Sequence, residues 1–394
     1  MSGLAVVGNA CPKLITLTLA HALGTLSIAA VMALGPAIQA DLVLSQTQLG
    51  ALVSAYYASQ FILAIPVGCF IDRIGVPSAL ILSHLIAAGA LAILSLADGL
   101  VEAAAALSVL GASYSLLNPA TSKGVFDWIP IGQRGMAMGI KQAGVPLGGL
   151  FAAAAVAIAV SLDLGWRTII QGVAGLIACG VFLVGSLPTE TFSGRPTYRQ
   201  SPLSDARILL GNRRLHLLGL VNGIFNIGQI GLWSHVTLFL KEALQASTPI
   251  ASLGFGVVQG FSALGRVGWG RLSDRRFEGR RWPVAVIVGG LAVLGFLALA
   301  MPIGLILALA VIASLGLTIG GYAGLLQTMA VETVEPQYAA SAIGYNMLLV
   351  PAGAMVAPVL VGAVVDMTGS FAAGWLLLAA LVSGGVVILF AAKK

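Results

Sequence analysis

An all-α membrane protein, with twelve transmembrane helices in two pseudo-symmetric six-helix bundles, is the fold class this sequence predicts. Three observations lead there. Of 394 residues, 58% are apolar and only 9% are charged, and the mean hydropathy is +1.00, a balance suited to a chain whose solvent is mostly lipid. Apolar windows of about 20 residues, the length that crosses a hydrocarbon core of about 30 Å, recur along the whole chain. A short signature also occurs twice, as Gly68-Cys69-Phe70-Ile71-Asp72-Arg73 and Gly270-Arg271-Leu272-Ser273-Asp274-Arg275, each after a long apolar run.

The windows, bounded by Pro, Gly or charge, fall at 13–36, 46–70, 77–97, 101–124, 135–160 and 166–187, then at 213–239, 250–271, 282–301, 303–329, 339–364 and 371–391. Asn118-Pro119 predicts a break in the fourth window, because proline removes a backbone donor and frees a carbonyl. Pro36, Pro66, Pro146 and Pro351 predict bends. The only long polar connection, with Arg195, Arg199, Arg207, Pro196 and Pro202, separates the halves. The predicted organisation is an N-terminal bundle over 1–187, a cytoplasmic linker over 188–212 and a C-terminal bundle over 213–394.

Duplication is legible residue by residue. Ala137-x-Gly139 and Pro146-x-Gly148 recur as Ala342-x-Gly344 and Pro351-x-Gly353, and Leu110-Gly111 recurs as Leu315-Gly316, all at an offset of 205 positions. Parallel repeats of this kind place a ligand site between two bundles near the membrane midplane.

Charge placement orients the chain. With both termini inside, the cytoplasmic side receives Lys13, Arg73, Lys123, Arg134, the arginines between 195 and 214, Arg271 through Arg281, and Lys393-Lys394; the outer side receives Arg167 and Lys241. The net charge of +6 is therefore read as a topology signal in a multi-pass inner-membrane protein. No nucleic-acid motif accompanies it. The start Met1-Ser2-Gly3-Leu4 lacks a basic n-region, so the N-terminus is expected to be retained and cytoplasmic. Cys11, Cys69 and Cys179 supply neither a disulfide framework nor metal-ligand spacing, and no cofactor is expected.

On these motifs the chain resembles the major facilitator superfamily over essentially its whole length. Residues 68–75 match the family's signature between spans two and three, and 270–275 its echo between spans eight and nine. The first copy continues as Gly75-Val76-Pro77 where the family usually carries basic residues; the second keeps them as Arg276, Arg280 and Arg281. The resemblance implies a gating role for Gly68, Asp72, Arg73, Gly270, Asp274 and Arg275, in a loop that latches the cytoplasmic side. The alternative reading makes them stop signals that set topology.

Polar residues inside spans cost free energy and usually face water or a partner. Lys141 lies about seven residues inside the fifth window, on the order of 10 Å deep at 1.5 Å per residue, and Arg266 is four residues before Gly270 at comparable depth. Each either snorkels to the interface or faces a cavity. In the family's arrangement spans five and eight flank the central cavity, and Arg266 resembles the arginine that monocarboxylate and oxalate carriers place one turn before the second signature. That resemblance implies an anion site, with a bidentate carboxylate contact at the guanidinium. Gln142, Tyr56, Tyr57, Gln60, Tyr114, Asn118, Tyr345 and Asn346 are further candidates to line the cavity. Asn222, Asn226 and Gln229 join them, at the i, i+4, i+7 spacing of one helical face. Interhelical hydrogen bonding is the other explanation for each. Gly144, Gly148 and Gly149 read as helix-packing sites.

No Asp or Glu falls mid-span, so His21 and then His235 are the titratable candidates for coupling. The function implied is secondary transport of a small organic anion, a carboxylate, by alternating access, as symport or antiport with protons as a further partner, in a monomer within the lipid bilayer. A drug or metabolite exporter is the alternative within the family, on the Gly144-x-Pro146-x-Gly148-Gly149 cluster. A non-transporting membrane sensor or scaffold is the alternative outside it, although the linker is short for a readout domain. An enzyme is not expected, since no nucleophile–base pair or nucleotide-binding loop is present.

Overall fold

The computed structural model describes residues 11–130, 134–188, 211–335 and 339–393, with the side chains of Cys11, Ile65, Cys69, Gly135 and 339–348 excepted. Every predicted window coincides with helix. The elements are α1 (Cys11–Ala33), α2 (Gly35–Asp41), α3 (Gln46–Ile74), α4 (Val76–Leu94), α5 (Leu100–Trp128), α6 (Arg134–Ser161) and α7 (Trp166–Gly185). Then come α8 (Arg213–Leu238) with a π-helical turn (Phe239–Ala243), α9 (Thr248–Arg276), α10 (Arg281–Leu299), α11 (Leu305–Leu317), α12 (Ala323–Val331), α13 (Ala339–Thr368) and α14 (Phe371–Ala391). Ten of these, taken alone, are long and apolar enough to cross a membrane. The others are α3, which bends near Pro66, and the tenth window, which is divided.

Two expectations about helix continuity are corrected. α5 runs unbroken through Asn118-Pro119. The hydroxyls of Thr121 and Ser122 bond back to Asn118 O at 3.0 and 2.8 Å, so side chains serve backbone acceptors in the turn that proline disturbs. The tenth window, read as continuous, breaks at 318–322 between α11 and α12. At Thr318 the backbone leaves helical geometry, with φ −85° and ψ −84°. Gly320 and Gly321 follow at once. A Cβ on Gly321 would lie 2.7 Å from Gly265 Cα, a distance no side chain tolerates, so the chain can turn here only because glycine is present.

The chain divides into two compact units. Unit 1 comprises 1–43, 55–192 and 247–256, and unit 2 comprises 44–54, 193–246 and 257–394. In unit 1, α1 is the axis, packed against α5, α6 and α7, while α4 packs against α5 and α7. The α1–α6 approach is backbone to backbone: a Cβ on Gly144 would stand 2.7 Å from Thr18 O, and Gly148 abuts Ala22 O in the same way. Small residues at helical spacing permit this closeness in lipid, where van der Waals packing replaces the hydrophobic drive. In unit 2, α8 packs against α13 and α14, and α10 against α14 and α11. Both units carry wholly buried apolar side chains, among them Leu17, Leu80 and Leu117 in unit 1 and Phe225, Phe296 and Leu378 in unit 2.

Candidate functional site

In unit 1 several buried polar groups form one connected cluster. Lys141, on α6, is fully buried, and its Nζ donates to Asn118 Oδ1 at 2.6 Å, to Ser122 Oγ at 3.1 Å and to Asn118 O at 3.4 Å. These neutral oxygens orient the ammonium. Asn118 and Ser122 lie one turn apart on α5, and Thr121 lies between them. His21, on α1, is also fully buried, with Nε2 2.9 Å from Tyr114 Oη and Nδ1 3.3 Å from Thr121 Oγ1. Tyr114 lies 5.7 Å from the His21 ring, edge to face, and 6.0 Å from the ring of Tyr56, which meets Tyr57 at 4.9 Å. The Gln60 side chain hydrogen bonds with Tyr56. Tyr57, Gln60, Tyr114, Asn118 and Gln142 are half-buried. Six of the candidates, Lys141, His21, Tyr56, Gln60, Tyr114 and Asn118, are thus joined by contacts within one unit.

Unit 2 has its own polar cluster around the break at 318–322. Gln229, on α8, donates from Nε2 to Gly320 O at 2.9 Å, and Ser262 Oγ, on α9, donates to the same carbonyl at 2.7 Å. Asn226 Nδ2 donates to Gln229 Oε1 at 3.3 Å, and Tyr322 Oη donates to Asn222 O at 3.2 Å. Tyr322 also hydrogen bonds with the Asn226 side chain and lies within electrostatic range of Arg266. The stripe of Asn222, Asn226 and Gln229 does converge, but on main-chain carbonyls released by an unwound span. Gln259, Ser262 and Arg266 share one face of α9 by their spacing. Gln259 is buried, and its Oε1 has no hydrogen-bond partner.

The sequence reading missed Ser262, Gln259, Tyr322, Thr121 and Ser122. The available signal was Gly320-Gly321 in the middle of a window, since a doubled glycine inside a span invites an unwound segment whose carbonyls need partners. The side chains of Tyr345 and Asn346 lie outside the described residues. His235 is buried on α8, its Nδ1 2.9 Å from Ser234 Oγ and 3.3 Å from Gly231 O.

At the signature loops, Asp72 pairs with Lys123 at 3.0 Å, and Lys123 is 3.7 Å from Asp127. Asp274 pairs with Arg281, the first residue of α10, at 3.3 Å, and Arg281 with Glu332 at 2.7 Å. Both signatures, expected as loops, end in the last turns of α3 and α9, and each carboxylate ties that turn to another helix of its own unit. At the other end of unit 1, Arg167 pairs with Asp41, and Trp166 Nε1 donates to the same carboxylate at 3.1 Å. Those two contacts hold the Asp41 carboxyl below its ordinary value, the tryptophan hydrogen bond contributing most. Among the described residues no group of three or more His, Cys, Asp or Glu is placed to hold a metal ion.

The Major Facilitator Superfamily profile matches residues 17–358. The chain belongs to the Major Facilitator Superfamily. It is accordingly a multi-pass membrane protein whose likeness is to transporters and not to enzymes. A hexuronate transporter of Bacillus subtilis (strain 168) is 27% identical over 192 residues, covering 48% of this chain and 45% of that protein, so the match spans under half of either. A bacterial homologue of the human lysosomal transporter Spinster, solved in an inward-facing and occupied conformation, superposes with a TM-score of 0.81 at 17% identity over 96% of both chains. The nucleoside transporter NupG, as its D323A mutant, gives 0.79 at 16% identity over 97% of this chain and 100% of that one. At such identities the two structures speak for the fold alone.

Proposed function

We propose that this superfamily member is a secondary transporter of a small organic anion, a carboxylate, and that Lys141 is the principal group that holds it. The observation that carries this is the fully buried ammonium of Lys141, oriented by Asn118 and Ser122. A cation inside a membrane span is costly and marks a functional site. A carboxylate is the ligand class that an ammonium and a guanidinium recognise by charge-assisted hydrogen bonds. Arg266, within electrostatic range of Tyr322, is the candidate cation of the second unit. The partial relation to a hexuronate transporter supports an anionic substrate. The remaining elements of this reading are two bundles joined by the 188–212 linker, an inner-membrane location with both termini cytoplasmic, a monomeric state and gating through the two signature loops.

The exporter alternative loses its sequence support, because Gly144 and Gly148 are accounted for by the close approach of α6 to α1. The test is thermal stabilisation of the purified protein by acetate, lactate, succinate and glucuronate, beside uridine and a lipophilic cation. Stabilisation by a carboxylate, lost in Lys141→Gln and weakened in Arg266→Gln, is expected. Stabilisation by uridine or the cation that survives both substitutions would contradict the reading.

A further inference from the structure

We infer that the outward face at the C-terminal end of α9 binds an anionic phospholipid, its phosphate held between Arg271 and Arg275 and an acyl chain lying along Phe261, Leu264 and Val267. Helical register puts these residues together. Counted from Leu264, Phe261 and Val267 lie within about 60° around the helix, and Arg271 and Arg275 within about 20°. All five are exposed. The other side of the helix is spent on packing: Val258 and Ser262 are wholly buried, and Gly265 and Trp269 meet Leu317 O of α11. In a membrane-spanning chain the apolar side turned away from its own packing faces lipid. From Phe261 to Arg271 the helix rises about 15 Å at 1.5 Å per residue, half of a hydrocarbon core of about 30 Å. The chains of one leaflet therefore fit beside the apolar residues when the headgroup stands at the arginines.

The arginines there are in excess. Residues 271–281 hold Arg271, Arg275, Arg276, Arg280 and Arg281 against Asp274 and Glu278. Both acids are engaged, Asp274 with Arg281 at 3.3 Å and Glu278 with Arg280 at 3.4 Å. Arg271, Arg275 and Arg276 are left without an acidic partner among the described residues. Arg271 and Arg275 stand one turn apart, with Cβ atoms roughly 5–6 Å from each other, so their two guanidinium forks can grip different oxygens of one phosphate. Gly268 lies on the same face, and a Cβ there would meet open space. Glycine weakens a helix interior, and no packing neighbour requires it at this position. It leaves a shallow notch beside the arginines, where the glycerol backbone of a lipid can settle.

Orientation in the membrane does not account for this many charges. In the first signature, 202 positions earlier, Cys69, Arg73 and Ile74 stand in the places of Arg271, Arg275 and Arg276, so one arginine serves there. The occupant of the α9 face has to be anionic at one end and apolar over about half the hydrocarbon core, which describes a phospholipid of negative headgroup and neither a free anion nor a soluble partner.

The experiment is native mass spectrometry of the delipidated protein in detergent, with unfolding midpoints beside it, in the presence of phosphatidylglycerol, phosphatidylcholine or inorganic phosphate. Phosphatidylglycerol is expected to bind in preference to phosphatidylcholine and to raise the midpoint, with no effect of phosphate at the same concentration. Arg271→Gln combined with Arg275→Gln is expected to weaken phosphatidylglycerol binding by about 30-fold. Arg271→Lys with Arg275→Lys keeps the charge, loses the planar forks and is expected to give up part of the preference; it serves if the first variant fails to fold. Arg213→Gln with Arg214→Gln, at exposed bases that open α8, is expected to leave the preference intact. Equal binding of the two lipids, an equal effect of phosphate alone, an undiminished preference in either α9 variant, or the same loss in the α8 variant overturns the inference.

Discussion

Unit 1 and unit 2 each set one basic residue inside a membrane-spanning helix, and they surround it differently. Lys141 donates to a carboxamide and a hydroxyl of α5, whereas Arg266 lies within electrostatic range of Tyr322, at the end of the unwound turn at 318–322. An ammonium is a compact point charge whose three donors are satisfied by oxygens from any direction; a guanidinium is a planar fork that demands matched acceptors. Unit 1 thus carries a cluster of titratable and hydroxyl groups, and unit 2 a set of carboxamides and main-chain carbonyls. The difference teaches that the two units build their buried polar groups on different supports, side chains on α5 in unit 1 and main-chain carbonyls of a broken span in unit 2.

The largest test of that division is charge removal at the two cations. Lys141→Gln is expected to weaken carboxylate binding by about 100-fold, in line with roughly 2–5 kcal/mol for truncating one member of a buried charge pair. Arg266→Gln, on a half-buried residue, is expected to cost less, nearer tenfold. Titration calorimetry with the best carboxylate of the panel checks both, and equal losses would erase the contrast between the units.

Next in size is the packing that holds each cluster. Gly148→Leu drives a side chain into the Ala22 backbone and is expected to destabilise unit 1 by about 1–3 kcal/mol or more, visible as a lowered unfolding midpoint in detergent. In unit 2, Gln229→Leu combined with Ser262→Ala strips Gly320 O of both its donors. The expected loss is about 1–3 kcal/mol for an unsatisfied buried acceptor. A double variant as stable as wild type would mean the break at 318–322 is not held by these side chains.

The smallest effect concerns Asp41. Its folded-state carboxyl is held below the ordinary 3.8 by Trp166 and Arg167. It therefore contributes stability above that value, and the contribution is lost as pH falls through the lower folded value. Asp41→Asn is expected to flatten the acid limb of the stability profile slightly, and to leave the neutral region almost unchanged, because the group is exposed.

The helices were legible because lipid leaves few alternatives: an apolar window of spanning length must satisfy its backbone internally, and every window but the tenth did so as helix along most of its length. Hydropathy reports side chains and is blind to backbone continuity. It therefore missed the break at Gly320-Gly321, where the neighbours Leu317 and Ile319 keep the window apolar. Pro119 misled in the opposite sense, since hydroxyls one turn away let the helix continue. Of the site, Lys141 and its link to Asn118 were within reach of sequence, as a cation and a carboxamide too deep to be ignored. Thr121, Ser122, Gln259 and Ser262 were not, because a lone hydroxyl or amide in a helix carries no signal until its facing helix is known. His21 stood out as titratable, but its pairing with Tyr114 depends on how α1 seats against α5.

The most direct measurement is uptake into proteoliposomes of a labelled carboxylate, lactate or glucuronate, in exchange for the same unlabelled anion inside. Saturable uptake by wild type that is abolished by Lys141→Gln is the expected result. Vesicles that admit uridine or a lipophilic cation, yet remain closed to both carboxylates, would contradict the assignment of an organic anion as the substrate.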